Sequence, residues 1–190
     1  MSSESERPGE GTGTRAEGSD LLLAFADALL SASQRDPGRA AAQVHQYVTF
    51  FLRDDEIGIP ILQCREIVHA PAITRVPEAP EHVRGVVNLR GRIVPAVDAR
   101  KCLGYEGSAL VAKPRLLVIE VAGRLFALLV DRVARIIKLT ASEIEAPPAS
   151  GGVFGAVGVV RVGGAAIYLT DAEHVLQLGP AVPTPRSDGA

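Results

Sequence analysis

Cysteine is scarce: Cys64 and Cys102 are the only two in 190 residues, and neither belongs to a C-x-x-C pair. That argues against a disulfide framework and a structural zinc site, and it suits a reducing cytosol. Charge of one sign is also lacking. Twenty basic against 22 acidic side chains leave a net of −2, so the whole chain is neither a polyanion binder nor an acidic mimic, and a charged partner must be read by a local patch. Long apolar runs are missing too. The longest uncharged stretch, Ala146 to Val160, is interrupted by Pro147, Pro148 and four glycines, so neither a spanning helix nor direct membrane insertion is expected. The chain opens with Glu4 and Glu6 where a basic and then an apolar segment would mark a secretory signal, so none is expected.

Catalytic motifs are absent as well. G-x-S-x-G, G-x-x-x-x-G-K-[ST] and H-E-x-x-H do not occur, and Gly152, Gly155 and Gly158 fall at a spacing of three, which is not the dinucleotide fingerprint. His45, His69, His82 and His174 stand singly, with no two at metal-ligand spacing. No catalytic residue, metal or cofactor is therefore expected.

What remains is a chain that folds. Its residues are 47% hydrophobic and 22% charged, and about 150 residues per domain predicts one domain plus a tail. Residues 1–19 are Ser, Glu, Gly, Thr and Arg with little that is apolar, and read as a solvated tail. Ser19 and Asp20 stand where an N-cap would, and Leu22, Phe25, Ala26, Leu29 and Leu30 follow at helical spacing until Asp36-Pro37-Gly38. This amphipathic helix, with a linker to residue 43, either docks on its own domain or stands off as a partner-binding or dimerisation helix.

From Tyr47 the texture changes to short Val- and Ile-rich runs punctuated every eight to twelve residues by Gly, Pro or charged turns, a β pattern. Nine strands are predicted: 47–53, 57–62, 85–89, 93–97, 116–121, 125–130, 135–139, 157–162 and 165–169. Asp54-Asp55-Glu56, Arg90-Gly91-Arg92, Ala122-Gly123-Arg124 and Gly163-Gly164 are their compact turns. That many short strands close into small barrels more readily than they lie as one open sheet. Three hairpins end in aspartate, at Asp98, Asp131 and Asp171, which suggests related units. Asp98 and Asp171 precede short helical segments and read as N-caps more naturally than as paired acid–base carboxylates.

One charge anomaly stands out. Residues 84–101 hold Arg84, Arg90, Arg92, Arg100 and Lys101 against Asp98 alone. A protein-contact surface, a solvated basic face and a nucleic-acid patch are the three readings. The absence of any aromatic residue to stack a base counts against the last, and Gly85 and Gly91 leave room for another backbone to approach.

Tyr47-Val48-Thr49-Phe50, Gly58-Ile59, Arg65-Glu66-Ile67 and above all Arg84-Gly85-Val86-Val87-Asn88-Leu89-Arg90-Gly91-Arg92-Ile93-Val94-Pro95 resemble the CheW-like family of bacterial chemotaxis coupling proteins. The resemblance runs on through Asp98, Val130-Asp131 and Leu169-Thr170-Asp171. It implies a mainly β domain over residues 44–178, built of two packed five-stranded SH3-like barrels with short helices. A flexible tail follows at 179–190. It further implies a cytoplasmic, non-enzymatic adaptor at receptor arrays. Its partners would be the cytoplasmic tip of a methyl-accepting chemoreceptor and the regulatory domain of a CheA-type histidine kinase, which itself resembles CheW. The receptor's helical hairpin would lie in a groove lined by Cys64, Gly85, Val87, Val133 and Ile136, beside the Gly91 turn, with Glu66 and Arg90 as polar fixers. Glu66 also suits the kinase-facing side, and the resemblance assigns no residue to the kinase. An adaptor in a non-motility chemosensory system and a nucleic-acid-binding barrel are the alternative functions.

Overall fold

The structure is a computed structural model that describes residues 23–30, 44–105, 113–148, 153 and 155–178. The expected tails at 1–19 and 179–190, the cap at Ser19 and Asp20, and the linker at 31–43 lie outside the described residues. Residues 23–30 belong to a first helix, α1.

Among the described residues ten strands follow, and they form two five-stranded sheets. They are β1 (Val44–Leu52), β2 (Asp55–Pro60), β3 (Cys64–His69), β4 (Val83–Leu89), β5 (Arg92–Asp98), β6 (Arg115–Val121), β7 (Arg124–Val130), β8 (Arg132–Thr140), β9 (Gly158–Val162) and β10 (Ala165–Leu169). Two short helices, α2 (Ala99–Cys102) and α3 (Ala172–Leu178), each follow an aspartate. The first sheet runs β8-β1-β2-β10-β9 and the second β3-β6-β7-β5-β4. Each curls into a small SH3-like barrel, as the strand pattern and the resemblance predict.

All nine predicted strands are present, and β3 is the tenth. Two physical effects hid it. Pro60 ends β2, and Ile61–Gln63 turn as a 3₁₀ segment where a continuous strand to residue 62 was expected. The adjacent charges Arg65 and Glu66 then break the apolar alternation, because a bulge between Cys64 and Glu66 shifts the pairing with β6.

The turns behave as their residues dictate. Leu89 pairs with Arg92, Val121 with Arg124 and Val162 with Ala165, so each loop has two residues. Arg90 (φ 54°) and Gly91 (φ 85°), and likewise Ala122 (φ 49°) and Gly123 (φ 74°), take left-handed conformations. These are type I′ turns, whose twist matches that of the strands.

The chain order reveals a repeat with exchange. Strands β1 and β2 form a hairpin in the first sheet, β3 crosses to the edge of the second, and β4 and β5 form a hairpin there. The next five strands make the opposite journey: the β6–β7 hairpin lies in the second sheet, while β8 and the β9–β10 hairpin return to the first. Each sheet therefore joins a hairpin of one half to a hairpin of the other through a parallel pair, β2 with β10 and β5 with β7. Neither barrel can form from one half alone.

Three apolar clusters result. Ile137, Leu139, Val160, Ile167 and Leu169 fill the first barrel. Val87, Val94, Ala96, Leu116, Ala127 and Leu129 fill the second. The largest cluster joins the barrels, with Val48, Phe50, Leu52, Ile57 and Ile59 from one sheet meeting Leu117, Ile119, Leu128 and Val130 from the other. Each fully buried side chain of this size contributes about 1.5–3 kcal/mol, so this shared cluster makes the two barrels one folding unit. Phe25 and Ala28 of α1 join it, which places the N-terminal helix on its own domain, the first of the two alternatives.

Candidate functional site

The block that carries the family resemblance becomes the β4–β5 hairpin. Its turn is set by Asn88, whose Oδ1 accepts the Gly91 N–H at 2.8 Å. Arg90 at the tip is 86% exposed, yet its guanidinium lies 2.8 Å from Oε2 of Glu66, which is 25% exposed. The two neighbours on β3 take different partners: Arg65 pairs with Glu120 at 2.8 Å, and Glu66 meets the hairpin.

The other residues expected to line the groove divide into two sets. Val133 and Ile136 on β8 are half-buried against the inter-barrel cluster, which also contains Cys64. Cys64, Gly85 and Val87, however, are interior residues. Cys64 has 0% exposure, its Sγ sits 3.8 Å from the Glu66 carbonyl oxygen, and burial pushes its thiol pKa up to about 12. Val87 fills the second barrel. Gly85 holds φ at 142°, and a Cβ there would lie 2.1 Å from the Thr74 carbonyl oxygen. That carbonyl accepts the Val86 N–H at 2.8 Å and the Thr74 N–H returns the bond at 2.9 Å. Gly85 therefore admits the chain's own loop where a partner's backbone was expected. These three residues form a floor, while Glu66, Arg90, Gly91, Val133 and Ile136 retain exposed or half-exposed surface.

The basic segment does not form a continuous patch. Arg90 pairs with Glu66, Lys101 with Glu81 at 3.0 Å, Arg84 with Asp98 at 3.5 Å, and Arg100 with Asp131. Arg92 is the one base of the segment without an acidic partner among the described residues. A backbone-tracking basic surface, which a nucleic-acid reading needs, is thereby largely neutralised.

The three hairpin-ending aspartates have separate structural tasks. Asp98 caps α2, with Oδ1 accepting the Arg100 N–H at 3.1 Å. Asp171 caps α3, its Oδ1 accepting the His174 N–H at 2.7 Å. All three hairpins that end in aspartate are present, and Asp131, for which no cap was expected, caps nothing. Its Oδ2 accepts the Arg53 N–H at 2.7 Å, and Oδ1 holds the buried Arg100 guanidinium. This carboxylate fastens the β1–β2 turn of the first barrel to β7 and α2 of the second. A further clasp, from the Tyr105 hydroxyl to Asp55 Oδ2 at 2.7 Å, raises the phenol pKa through burial first and this hydrogen bond second. The Cys102 thiol pKa is pushed up to about 12 by burial and then by Asp98. Neither thiol is poised as a nucleophile.

A polar cluster escaped the sequence reading. Glu56, expected in a turn, is the second residue of β2 and is buried. Its carboxylate accepts the Thr49 hydroxyl at 2.8 Å and two bonds from Arg135, at 3.1 and 3.0 Å. The available signal was the turn register: a two-residue loop at Arg53-Asp54 puts Glu56 and Gly58 on one face.

Comparison with known proteins agrees with this architecture. The sequence model for the CheW-like domain matches residues 46–179. Chemotaxis protein CheW of Helicobacter pylori is 34% identical over 106 residues, covering 56% of this chain and 64% of that protein. CheW of Rhizobium meliloti is 32% identical over 133 residues, covering 68% and 86%. The alignments with the Helicobacter and Klebsiella aerogenes proteins span just under two thirds of their lengths, 64% and 62%. In three dimensions the chain is similar to the crystal structure of the scaffolding protein TtCheW from Thermoanaerobacter tengcongensis, with a TM-score of 0.65, 27% identity, and 71% of this chain matched to 94% of that one.

Proposed function

The chain belongs to the CheW-like domain family, and from that premise we propose that it is a cytoplasmic, non-enzymatic adaptor that couples the tip of a chemoreceptor to a CheA-type histidine kinase. Arg90 carries the reading. A bulky residue in the left-handed region is uncommon and costs backbone energy, and an ion pair this exposed contributes at most about 1 kcal/mol to stability. Arg90 is nonetheless held at an exposed hairpin tip by Glu66, an arrangement suited to recognition more than to folding. The half-buried Val133 and Ile136 supply apolar surface on β8, and the interior residues Cys64, Gly85 and Val87 support the surface from beneath.

The test is Arg90→Ala, measured twice. Hydrogen bonds to charged groups contribute about 1.5–3 kcal/mol, so affinity for a receptor-tip fragment should fall roughly tenfold to a hundredfold. Chemical denaturation should move by less than about 1 kcal/mol. Unchanged affinity in a folded variant would remove Arg90 from the site.

A further inference from the structure

Among the described residues, four hairpins close through two-residue loops: Arg53-Asp54, Arg90-Gly91, Ala122-Gly123 and Gly163-Gly164. Left-handed backbone at the first loop position suits glycine and asparagine, and arginine poorly. Two arginines stand there nonetheless, Arg53 at φ 57° and Arg90 at φ 54°. The fold itself holds Arg53, whose N–H donates to Asp131 at the joint between the barrels at 2.7 Å. Arg90 is held at an exposed tip instead. Asn88 Oδ1 accepts the N–H of the next loop residue, Gly91, at 2.8 Å, and Glu66 Oε2 meets the Arg90 guanidinium at 2.8 Å.

Asn88 stands one residue before the pair that flanks its loop, and Phe51, Glu120 and Arg161 stand there in the other three hairpins. Phe51 has no acceptor, an arginine side chain only donates, and the Glu120 carboxylate pairs with Arg65 at 2.8 Å. Asn88 is itself exposed, so its bond joins no parts of the core. It fixes only the loop that carries Arg90.

We infer that Asn88 is a positioning residue for receptor recognition: it fixes the loop backbone so that the Arg90 guanidinium is presented to the receptor tip, while Glu66 fixes the side chain. This rests on the coupling reading above. Without the Asn88 bond the loop samples other conformations, and apparent affinity falls with the fraction of chains in which Arg90 is presented. Because Asn88 acts through Arg90, its effect must vanish when Arg90 is gone.

A double-mutant cycle on the full-length chain tests this, with urea unfolding and affinity for the receptor-tip fragment measured on every variant. Asn88→Ala should unfold cooperatively and bind about threefold to tenfold more weakly, as expected for one neutral hydrogen bond. Asn88→Asp, whose carboxylate can accept the same N–H, should stay within about twofold of wild type. In a chain already carrying Arg90→Ala, adding Asn88→Ala should change affinity by less than about twofold. The inference is overturned by an Asn88→Ala chain that binds as tightly as wild type, or by one that loses as much affinity without Arg90 as with it. An Asn88→Asp chain as weak as Asn88→Ala overturns it too. The coupling reading survives each of these results. Unchanged affinity in Arg90→Ala alone overturns that reading, and the inference with it.

Discussion

The two barrels share one topology and differ in what they enclose. In the second, Val118 and Leu125 sit three residues before and one after the ends of the β6–β7 turn, and the interior around them is apolar. At the matching places of the β1–β2 hairpin the first barrel has Thr49 and Glu56, with Arg135 bridging them to solvent at 47% side-chain exposure. Their closures differ too. A loop residue bridges the edge strand in each, Thr74 to Val86 in the second barrel and Glu145 to Val159 in the first, and each bridge follows a glycine, Gly85 or Gly158. A Cβ at Gly85 would strike backbone, whereas one at Gly158 would meet first the Ile144 side chain, at 2.7 Å. The lesson is that strand register and edge closure specify this barrel. A buried charge is tolerated inside it provided its hydrogen bonds are met and one partner reaches water.

The largest expected effect lies at the joint between the barrels. Asp131→Ala leaves the buried Arg100 guanidinium without its carboxylate and frees the Arg53 N–H, so urea unfolding should show a loss of about 3–5 kcal/mol. Both barrels should still melt in one transition. Arg100→Met combined with Asp131→Leu should recover most of that loss, and a failure to recover would point to the Arg53 bond as the main contribution. Next come the closures. Gly85→Ala must displace backbone at a left-handed position and should cost about 1–3 kcal/mol, while Gly158→Ala should cost less, about 1 kcal/mol, because only the Ile144 side chain, stiff at its branched Cβ, has to give. Equal losses would erase the distinction between the two closures.

A smaller effect is expected when the first barrel is given the second's interior. Thr49→Val with Glu56→Leu removes a buried carboxylate and its hydroxyl partner together, leaving Arg135 to solvent. Stability should remain within about 1 kcal/mol of the parent or rise. A drop of roughly 3 kcal/mol would show that the polar cluster is an obligatory part of the first barrel.

The smallest concerns His82, which lies before β4 beside the second barrel, 2% exposed and with neither ring nitrogen hydrogen-bonded among the described residues. Burial, and secondarily the Lys101 charge, lower its pKa from 6.5. The unfolded chain thus binds a proton that the folded chain refuses. Stability contributed by the neutral ring is full above the unfolded value, declines as pH falls below about 6.5, and is lost once pH passes the folded value. Thermal midpoints of wild type and His82→Phe between pH 7.5 and 5 should diverge, the wild type falling more steeply. Parallel curves would show that His82 carries no linked proton.

Much of the architecture was legible from the chain because turns and alternation are local properties. Arg90-Gly91, Ala122-Gly123 and Gly163-Gly164 announce two-residue loops, and the apolar runs between them can be little other than strands. β3 was illegible because its bulge places two charges side by side, and alternation is the only signal a short strand has. Asp98 and Asp171 could be read as caps from the helical residues after them. The task of Asp131, which no helical segment follows, could not be read, since its partners, Arg53 and Arg100, are distant in sequence.

The site divides along the same line. The amino-acid order alone pointed to the family and to the hairpin with Arg90 at its tip, because the residues that carry both reside largely in one contiguous block. Folding decided that Glu66 reaches Arg90 from another strand, that Cys64, Gly85 and Val87 point inward, and that most of the basic run is neutralised by acids from elsewhere. A strand's alternation states that two faces differ. Which face meets water follows only when the strands of the two halves have exchanged and the shared core between the barrels has closed.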